Sequence, residues 1–347
     1  MTQYLKESGK EKAAALVLDP SSGEVLAMVS FPSFNNNEFS GGISNANYSA
    51  LISNPNQPLF NRVISGNYPS GSTVKPIIAA AALNEELITP RTRINSTGGI
   101  QINQWFFPDW RAGGHGSTDL RRSLAWSVNT YYYYIGGGYE NFKGLGVERI
   151  SEYMKEFQLG APLGIDLPAE SGGFIPTREW KEAFTGEKWY IGDTYHLAIG
   201  QGDLLVTPLQ VATWTSFFAN NGTIYRPTLV HSISDTQENT QERIEIHPFI
   251  LNKNFIMDQH VQAVRQGLID AVTLGSAQRM LSLPVTSAGK TGTAQWHSTR
   301  DEHSWFTAFA PTDTPQIVVT TLVEEGGEGG DLALSITRDL MESYFSQ

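Results

Sequence analysis

Apolar, strand-like runs lie near both ends of this chain, and they constrain its fold more than any other feature of the sequence. Residues 13–33 contain two such runs on either side of a Pro/Ser/Gly turn, which predicts a hairpin. Three further runs lie near the other end, at 284–296, 304–310 and 315–324. Because the segments between them have mainly helical patterns, the sequence predicts one α/β (α+β) unit whose terminal strands pair in a single antiparallel sheet.

Helical patterns fill most of the chain between these strands. Asp119 is predicted to cap a helix that runs to about Trp126. Residues 34–70 are predicted to form a long loop with short helices, and residues 100–118 and 162–195 are predicted to be irregular. The other predicted helices cover 73–86, a segment that begins near Thr130, 144–158, 208–220, 255–273 and 331–345. The chain shows no internal repeat and no evident linker. We therefore expect a single domain over residues 1–347, with a helical insertion at about 70–273 and a closing helix at 331–345. The nearly continuous apolar character of the hairpin predicts that both faces of its sheet are covered.

Charge and cysteine content exclude several classes of function. Lys and Arg number 24 against 35 Asp and Glu, and the net charge is −11. The chain therefore lacks the basic surface of a nucleic-acid-binding protein or of a protein held electrostatically at membranes. It contains no cysteine, which excludes disulfides, thiolate zinc sites and cysteine nucleophiles. No run approaches the roughly 20 apolar residues that a membrane-spanning helix needs.

A serine and a lysine stand one helical turn apart, in Ser72-Thr-Val-Lys75, where a Pro/Gly loop enters the apolar helix predicted at 73–86. Lys75 lies on the same helical face as Ser72. In a half-buried apolar pocket its charged form is destabilised, so that its pKa falls and it can act as a base. The unpaired N–H groups of the first turn can stabilise an oxyanion. Together these features predict a serine nucleophile that needs no histidine.

Two further short motifs supply matching chemistry. Ser127-Val-Asn129 falls in the break between two predicted helices, where the serine can relay a proton and the amide can hold a carbonyl or the lysine. Lys290 begins the run Lys-Thr-Gly-Thr on a predicted strand. Small residues there allow a substrate backbone to lie against the strand as an added strand. The two threonine hydroxyls lie on one face and, with Lys290, suit a substrate that ends in a carboxylate.

Each motif alone also has an ordinary structural explanation, such as a helix cap with a solvated lysine, a capping pair or a strand end. Their joint occurrence in this order, each in a fitting local context, favours the catalytic interpretation. A different candidate site, Asp109 and His115, offers two potential metal ligands six residues apart with no cysteine nearby. For these two residues we expect a hydrogen-bonded pair in a loop.

With these motifs the chain resembles the transpeptidase domain of class B penicillin-binding proteins. The resemblance extends over about residues 12–345, and the stretch at 109–116 favours the elongation-type subgroup, often called penicillin-binding protein 2. It rests on the three motifs and on the similar segments 18–30, 61–76, 199–202, 207–210, 288–294 and 305–311. The resemblance implies the penicillin-binding and serine-β-lactamase-like fold. In that fold a central antiparallel five-stranded sheet is flanked by helices and accompanied by an all-helical subdomain.

The resemblance implies a D,D-transpeptidase that cross-links peptidoglycan stem peptides ending in D-Ala-D-Ala. Ser72 would attack the penultimate D-Ala carbonyl and form an acyl-enzyme, and β-lactam antibiotics would acylate the same serine. Lys75 would be the base, while Ser127, tuned by Lys290, would pass a proton to the leaving nitrogen. Backbone N–H groups of Ser72 and Thr293 would form the oxyanion hole. The implied catalytic residues are Ser72, Lys75, Ser127, Asn129 and Lys290, and the implied substrate- and β-lactam-binding residues are Thr291, Gly292 and Thr293.

The same resemblance carries implications for cofactors, partners and location. It implies no cofactor. Some members hold a structural zinc through residues like Asp109 and His115 and a cysteine, but Val128 stands at the cysteine position here, so we expect no metal. Many elongation-type members have Asp where this chain has Asn129. The family's N-terminal pedestal and membrane anchor are absent, so we expect an isolated catalytic domain from the outer face of the bacterial cytoplasmic membrane. A SEDS-type glycosyltransferase is the expected partner of the full-length protein.

Two other classes of protein share these motifs. A serine β-lactamase must deacylate quickly, and class A enzymes use a glutamate in an E-x-x-L-N context that does not occur between Ser127 and Lys290. A β-lactam-sensing receptor domain would be acylated without catalysing a reaction, and the motifs alone do not distinguish it from a transpeptidase. An inactive scaffold is disfavoured because every motif is intact.

Overall fold

The computed structural model describes residues 1–234, 243–327 and 331–346, so 235–242, 328–330 and 347 of the predicted domain lie outside the described residues. The strands are, in chain order, β1 (Ala13–Leu18), β2 (Val25–Phe31), β3 (Ile94–Ser96), β4 (Gly99–Ile102), β5 (Trp105–Pro108), β6 (Gly116–Thr118), β7 (Gly138–Tyr139), β8 (Phe142–Lys143), β9 (Thr223–Tyr225), β10 (Ser232–Ser234), β11 (Arg243–Glu245), β12 (Ile250–Lys253), β13 (Ala288–Ala294), β14 (His303–Ala310) and β15 (Ile317–Val323). The helices are α1 (Thr2–Ser8), α2 (Asn45–Ile52), α3 (Lys75–Asn84), α4 (Leu120–Ala125), α5 (Asn129–Gly137), α6 (Gly146–Glu156), α7 (Arg178–Thr185), α8 (Ile191–Ala198), α9 (Pro208–Ala219), α10 (Asp258–Thr273) and α11 (Asp331–Phe345). Short 3-10 helices cover Asn36–Phe39, Gly71–Val74 and Gln278–Ser282.

Five strands from the two ends of the chain form one antiparallel sheet, in the order β13-β14-β15-β1-β2. This confirms the predicted mixed fold and its five-stranded sheet. Strand β1 is flanked by both neighbours, and Ala13 pairs with Val323 of β15 on one side and with Phe31 of β2 on the other. The prediction that both faces of the hairpin are covered is correct for β1 and wrong for β2, where Leu26 and Val29 are exposed. Helices α9 and α11 pack on the inner strands, which leaves β2 at the rim.

The side chains of β15 alternate between two apolar layers. Val318 and Leu322 join the larger layer, which contains helices α3, α5 and α9. Ile317 and Val319 join the second layer, where they meet Leu334 and other residues of α11. Because both faces of this strand are covered, its sequence is largely apolar, with two buried threonines, and does not alternate between apolar and exposed polar residues.

The segment between β2 and β13 is mainly helical, and its central helix α3 is buried at every position from 75 to 83. The helix predicted at 73–86 is observed over Lys75–Asn84, because Gly71–Val74 forms a 3-10 turn before it. The insertion is not all-helical, since two-stranded ribbons such as β3–β6 and β4–β5 fold within it. Residues 100–118, predicted to be irregular, contribute to these ribbons.

The stretch at 162–195, predicted to be irregular, contains α7 and the first part of α8. Thr177 caps α7 by accepting a hydrogen bond from the backbone N–H of Trp180 at 3.2 Å. Helix α8 packs on α5 and buries Tyr195. Helices of eight residues depend on such tertiary contacts, because helices this short are marginal on their own. Within the ranges given above, no helix combines the length and the apolar character needed to cross a membrane.

Candidate active site

The predicted nucleophile Ser72 lies in the 3-10 turn Gly71–Val74, at the entrance to α3. This turn is held in place from two sides. The backbone N–H of Gly71 donates to the carbonyl of Gly200 at 2.8 Å, and the indole of Trp305 donates to the carbonyl of Pro69 at 3.0 Å. The hydroxyl of Ser72 lines a cavity of about 580 Å³ and hydrogen-bonds to no other described residue. The loop therefore presents an unengaged hydroxyl to the cavity.

Lys75 is fully buried behind this cavity, more deeply than the half-buried position expected from the sequence. Its Nζ donates to the carbonyl of Ser127 at 2.8 Å, to Oδ1 of Asn129 at 2.7 Å and to Oγ of Ser127 at 3.2 Å. Burial lowers the pKa of Lys75 to about 7, against an opposing influence of the Asp109 carboxylate. A lysine with this pKa is available as a base at neutral pH.

A second buried lysine meets the same serine. Nζ of Lys290 donates to Oγ of Ser127 at 2.8 Å and to the carbonyl of Thr291 at 2.9 Å. Burial, and then the proximity of Lys75, lower the pKa of Lys290 well below its usual value. Since the hydroxyl of Ser127 accepts from both lysines, its own proton remains available for donation into the cavity. Ser127 holds a φ of 55°, a left-handed conformation that is uncommon for residues other than glycine.

The strand motif forms one wall of the cavity. Strand β13 lies at the edge of the sheet, and Thr291, Gly292 and Thr293 line the cavity beside Ser72. A Cβ atom at Gly292 would lie 2.8 Å from Cγ2 of Thr73 and 3.1 Å from the carbonyl oxygen of Ser70. The glycine is therefore required for packing of the nucleophile loop against the strand, whereas the sequence suggested only close approach of a substrate.

The structure thus brings all eight residues of the three motifs together. Six of them line the cavity, and two lysines lie buried behind it. The six are Ser72, Ser127, Asn129, Thr291, Gly292 and Thr293.

Asp109 is a site residue whose place is not evident from the sequence. Its buried carboxylate accepts hydrogen bonds from the backbone N–H groups of Asn129 at 3.1 Å and Thr130 at 3.0 Å, and from the hydroxyl of Thr130 at 2.7 Å. It therefore caps α5 from a distant loop and fixes the backbone of Asn129. The only sequence signal is an acidic residue in an aromatic, glycine-rich loop.

The expected hydrogen-bonded pair of Asp109 and His115 is wrong. Nε2 of His115 lies 3.9 Å from Oδ1 of Asp109, and neither ring nitrogen hydrogen-bonds to a described residue. The imidazole is instead packed between the indoles of Trp110 and Trp126, at centroid distances of 5.1 and 6.1 Å. Burial lowers the pKa of His115, which favours its neutral form. The carboxylate is fully engaged by α5, so it does not turn towards the ring.

These residues do not supply the donor set of a metal site. Two donors, Asp109 and His115, stand together, and the neighbouring Val128 offers none. Across the described ranges, no three His, Cys, Asp or Glu side chains are grouped so that they could hold a metal ion.

Comparisons with known proteins agree with this arrangement. A family model described as the penicillin binding protein transpeptidase domain matches residues 13–342. The peptidoglycan D,D-transpeptidase MrdA of Haemophilus influenzae is 36% identical over 357 residues, which cover 97% of this chain and 53% of that protein. The chain therefore spans about half the length of the curated relatives it matches.

Two solved structures extend the comparison to the fold. Pseudomonas aeruginosa PBP2 in complex with WCK 5153 has a TM-score of 0.87 at 32% identity, covering 99% of this chain and 74% of that chain. Helicobacter pylori PBP2, in its complex with MreC, has a TM-score of 0.84 at 31% identity, covering 99% of this chain and 61% of that chain.

Proposed function

Because this chain belongs to the penicillin-binding protein transpeptidase family, we propose that it is the catalytic domain of a D,D-transpeptidase that cross-links peptidoglycan stem peptides. The observation that carries the proposal is the convergence of Ser72, the buried base Lys75 and the doubly contacted hydroxyl of Ser127 beside the edge strand β13. This is the set of groups that acyl transfer through a serine requires.

The proposed first half-reaction forms an ester on Ser72. In its neutral form Lys75 has two N–H groups, so it keeps two of its three hydrogen bonds, and its lone pair takes the proton of the Ser72 hydroxyl as the serine oxygen attacks the penultimate D-Ala carbonyl carbon. Backbone N–H groups of Ser72 and Thr293 donate to the oxyanion that develops. When the C–N bond breaks, Ser127 gives its proton to the departing D-Ala nitrogen and recovers one from the lysines that contact it.

The second half-reaction returns the serine. An amine of a neighbouring stem peptide attacks the ester carbonyl, loses a proton through the same relay, and the C–O bond to Ser72 breaks. The hydroxyls of Thr291 and Thr293, with Gly292 between them, hold the carboxylate at the end of the donor peptide or of a β-lactam. Asn129 positions Lys75 and orients the substrate amide; its Oδ1 already accepts from Nζ of Lys75.

The location and the partners belong to the same proposal. We infer that the chain is one transpeptidase domain of a membrane-anchored protein that acts at the outer face of the bacterial cytoplasmic membrane. A SEDS-type glycosyltransferase would be the partner of the full-length protein. The complex of Helicobacter pylori PBP2 with MreC supports a further protein partner.

Labelling with a fluorescent penicillin tests the proposal. We expect a stable covalent adduct that Ser72→Ala abolishes, and absence of label on the parent chain would refute acylation. Label lost within seconds would indicate a β-lactamase. With a stable adduct, cross-linking of a lipid-linked disaccharide-pentapeptide supports the transpeptidase, whereas absence of cross-links favours a β-lactam-sensing domain.

A further inference from the structure

A second cleft, of about 350 Å³, lies beside the candidate active site, and nothing in the proposed reaction uses it. We call it the aromatic cleft and define it by Phe174, Trp180, Trp296, Asn67, Asp203 and Gln295 among its lining residues. Its walls continue those of the active-site cavity. Gln201 and Thr293 line the cavity, and the residues that follow each of them along the chain, at 202–203 and 295–296, line the aromatic cleft.

The floor of the aromatic cleft is fixed to the nucleophile loop. Tyr68 and Val206 exchange two backbone hydrogen bonds of 2.9 Å, and Phe174 and Leu205 exchange a second pair of 2.7 and 3.0 Å. Tyr68 lies four residues before Ser72. The cleft is therefore preformed, and a ligand bound in it would be held at a fixed position relative to the nucleophile.

Its walls are aromatic and held in place by their neighbours. Trp180 stacks on Phe184 with an interplanar angle of 14° and meets Phe174 edge to face at 4.8 Å. Trp296 stacks on His303 at 5.1 Å, and its Nε1 donates to the carbonyl of Asp301 at 3.1 Å. Rigid aromatic walls provide apolar contact area at low entropic cost.

The rim carries polar groups with unused hydrogen-bonding capacity. In the described part of the chain, the side chains of Asp203 and Gln295 have no hydrogen-bond partner, and the amide of Asn67 uses only its oxygen, which accepts from Ser171. None of the described residues that line the cleft is Lys or Arg. Burial lowers the pKa of His303 to about 4, so it is neutral at physiological pH. A carboxylate or a zwitterionic side chain would find no cation here.

An uncharged ring with apolar C–H faces and several hydroxyl and amide groups matches this lining. We propose that the aromatic cleft binds an N-acetylhexosamine ring of the glycan strand that carries the donor stem peptide. This inference rests on the proposed transpeptidase function. Gln295 and Trp296 follow Thr293 by two and three residues, directly after the end of β13, so at roughly 3.3 to 3.6 Å per residue they lie no more than about 7 to 11 Å from it. An extended four-residue stem covers about 13 Å on the same basis, so the sugar can reach the cleft while its stem is attached to Ser72.

The test is calorimetric titration with a β-linked N-acetylglucosamine tetramer. We expect saturable binding to the parent chain. The dissociation constant should be at least tenfold higher for the Trp180→Ala and Asp203→Ala variants. The control is Trp105→Ala, which removes a tryptophan that is 65% exposed and lies outside the cleft, and it should bind like the parent.

Thermal unfolding of each variant distinguishes loss of binding from loss of folding. Asp203 is exposed, so its substitution should disturb the fold less than that of Trp180. No saturable binding to the parent, or equal binding by both cleft variants, would overturn the inference. Penicillin labelling of the parent on Ser72 distinguishes this result from failure of the proposed function, because acylation without sugar binding contradicts only the sugar site.

Discussion

At the scale of single residues, the site depends on how two buried lysines share one serine. Lys75 and Lys290 both contact Oγ of Ser127, at 3.2 and 2.8 Å, and burial disfavours the charged form of each. Two ammonium groups this close also repel each other, which further lowers the pKa of Lys290. At neutral pH the cluster therefore contains an unprotonated amine, which is the state that a general base requires.

The first prediction concerns the pH dependence of acylation. The base form of Lys75 is populated above its pKa of about 7 and lost below it. The rate constant for labelling by a fluorescent penicillin should therefore be constant at alkaline pH and fall about tenfold per pH unit below the midpoint. Stopped-flow or quenched labelling between pH 5 and 9 measures the profile.

Two variants serve as controls for this profile. Lys75→Ala should slow acylation by about 100-fold or more, the usual contribution of a general base. Arg111→Ala removes an exposed positive charge and should leave the midpoint unchanged. A parent profile that is flat from pH 5 to 9 would contradict the assignment of Lys75 as the base.

The motif residues of the site were predictable from the sequence, because Ser72 and Lys75 lie one helical turn apart and the other motifs have recognisable local settings. The depth of burial of both lysines was not predictable from the sequence, because it depends on packing between segments that lie more than 200 residues apart. The capping of α5 by Asp109 was missed for a similar reason: the carboxylate lies 20 residues before Asn129, and the path of the β4–β5 ribbon brings them together.

At the scale of elements, the nucleophile loop packs tightly against two other segments, at Thr293 and at Gly200. Gly71 has a φ of 51°, and a Cβ atom there would lie 2.4 Å from the carbonyl oxygen of Thr293. Gly200 has a φ of 74°, and its Cβ would lie 2.1 Å from the carbonyl oxygen of Gly71. Both contacts are with backbone, which cannot move aside without shifting Thr293, part of the proposed oxyanion hole, or Ser72, the proposed nucleophile.

The second prediction is that Gly71→Ala slows acylation by at least tenfold, because the loop must move away from Thr293 to accommodate the methyl group. Its control is Gly9→Ala. Gly9 has a similar φ of 67°, but a methyl group there would meet no atom within 4 Å, so the variant should lose about 1 kcal/mol of stability and acylate normally. Penicillin labelling rates and urea unfolding give the two readouts. Normal acylation by Gly71→Ala would show that the loop tolerates displacement.

The third prediction concerns the cap on α5. Asp109→Ala removes an acceptor from three backbone N–H groups, those of Trp110, Asn129 and Thr130, and from the hydroxyls of Ser96 and Thr130. We therefore expect a loss of about 3 kcal/mol in the free energy of unfolding. Acylation should also slow, because Asn129 no longer holds Lys75 in place. Asp119→Ala removes the ordinary N-cap of α4 and should cost about 1 kcal/mol, with unchanged acylation. Equal effects of the two substitutions would argue against a positioning role for Asp109.

Elements with strong patterns were predictable, and short elements held by tertiary contacts were not. The predicted helix at 331–345 is observed as α11 with the same bounds, and 208–220 is observed as α9. Helices α7 and α8 and the two-stranded ribbons were missed. Helix α7 is strongly amphipathic and its pattern was overlooked, whereas strands of two to four residues are too short to show a period of their own. The exposure of β2 followed from its position at the rim of the sheet, which no local pattern encodes.

At the scale of the whole molecule, the fold depends on contacts between the two ends of the chain. Strand β1 pairs with β15, about 300 residues later, and the apolar character of both made this sheet predictable. A buried ion pair lies at the same end of the sheet. Nε of Arg62 donates to Oε1 of Glu324 at 2.8 Å, and the hydroxyl of Tyr68 donates to the same oxygen at 2.9 Å. These hydrogen bonds connect the segment before Ser72 with Glu324, which directly follows β15.

The fourth prediction is that Arg62→Ala lowers the free energy of unfolding by about 2 to 3 kcal/mol, because Glu324 loses its nearest cation and keeps only the hydroxyl of Tyr68 and the more distant Lys12, at 3.7 Å. The guanidinium also donates to the carbonyl of Asn56 at 2.7 Å, so its loss frees both the early segment and the end of the sheet. The matched control is Arg279→Ala, which breaks an exposed ion pair with Asp331 and should cost at most about 1 kcal/mol. Urea unfolding followed by tryptophan fluorescence measures the stability of both variants.

Because Tyr68 precedes Ser72 by four residues and shares Glu324 with Arg62, the Arg62 variant should also acylate more slowly below its unfolding transition. A destabilised variant that acylates at the parent rate would show that the ion pair stabilises the fold without positioning the nucleophile.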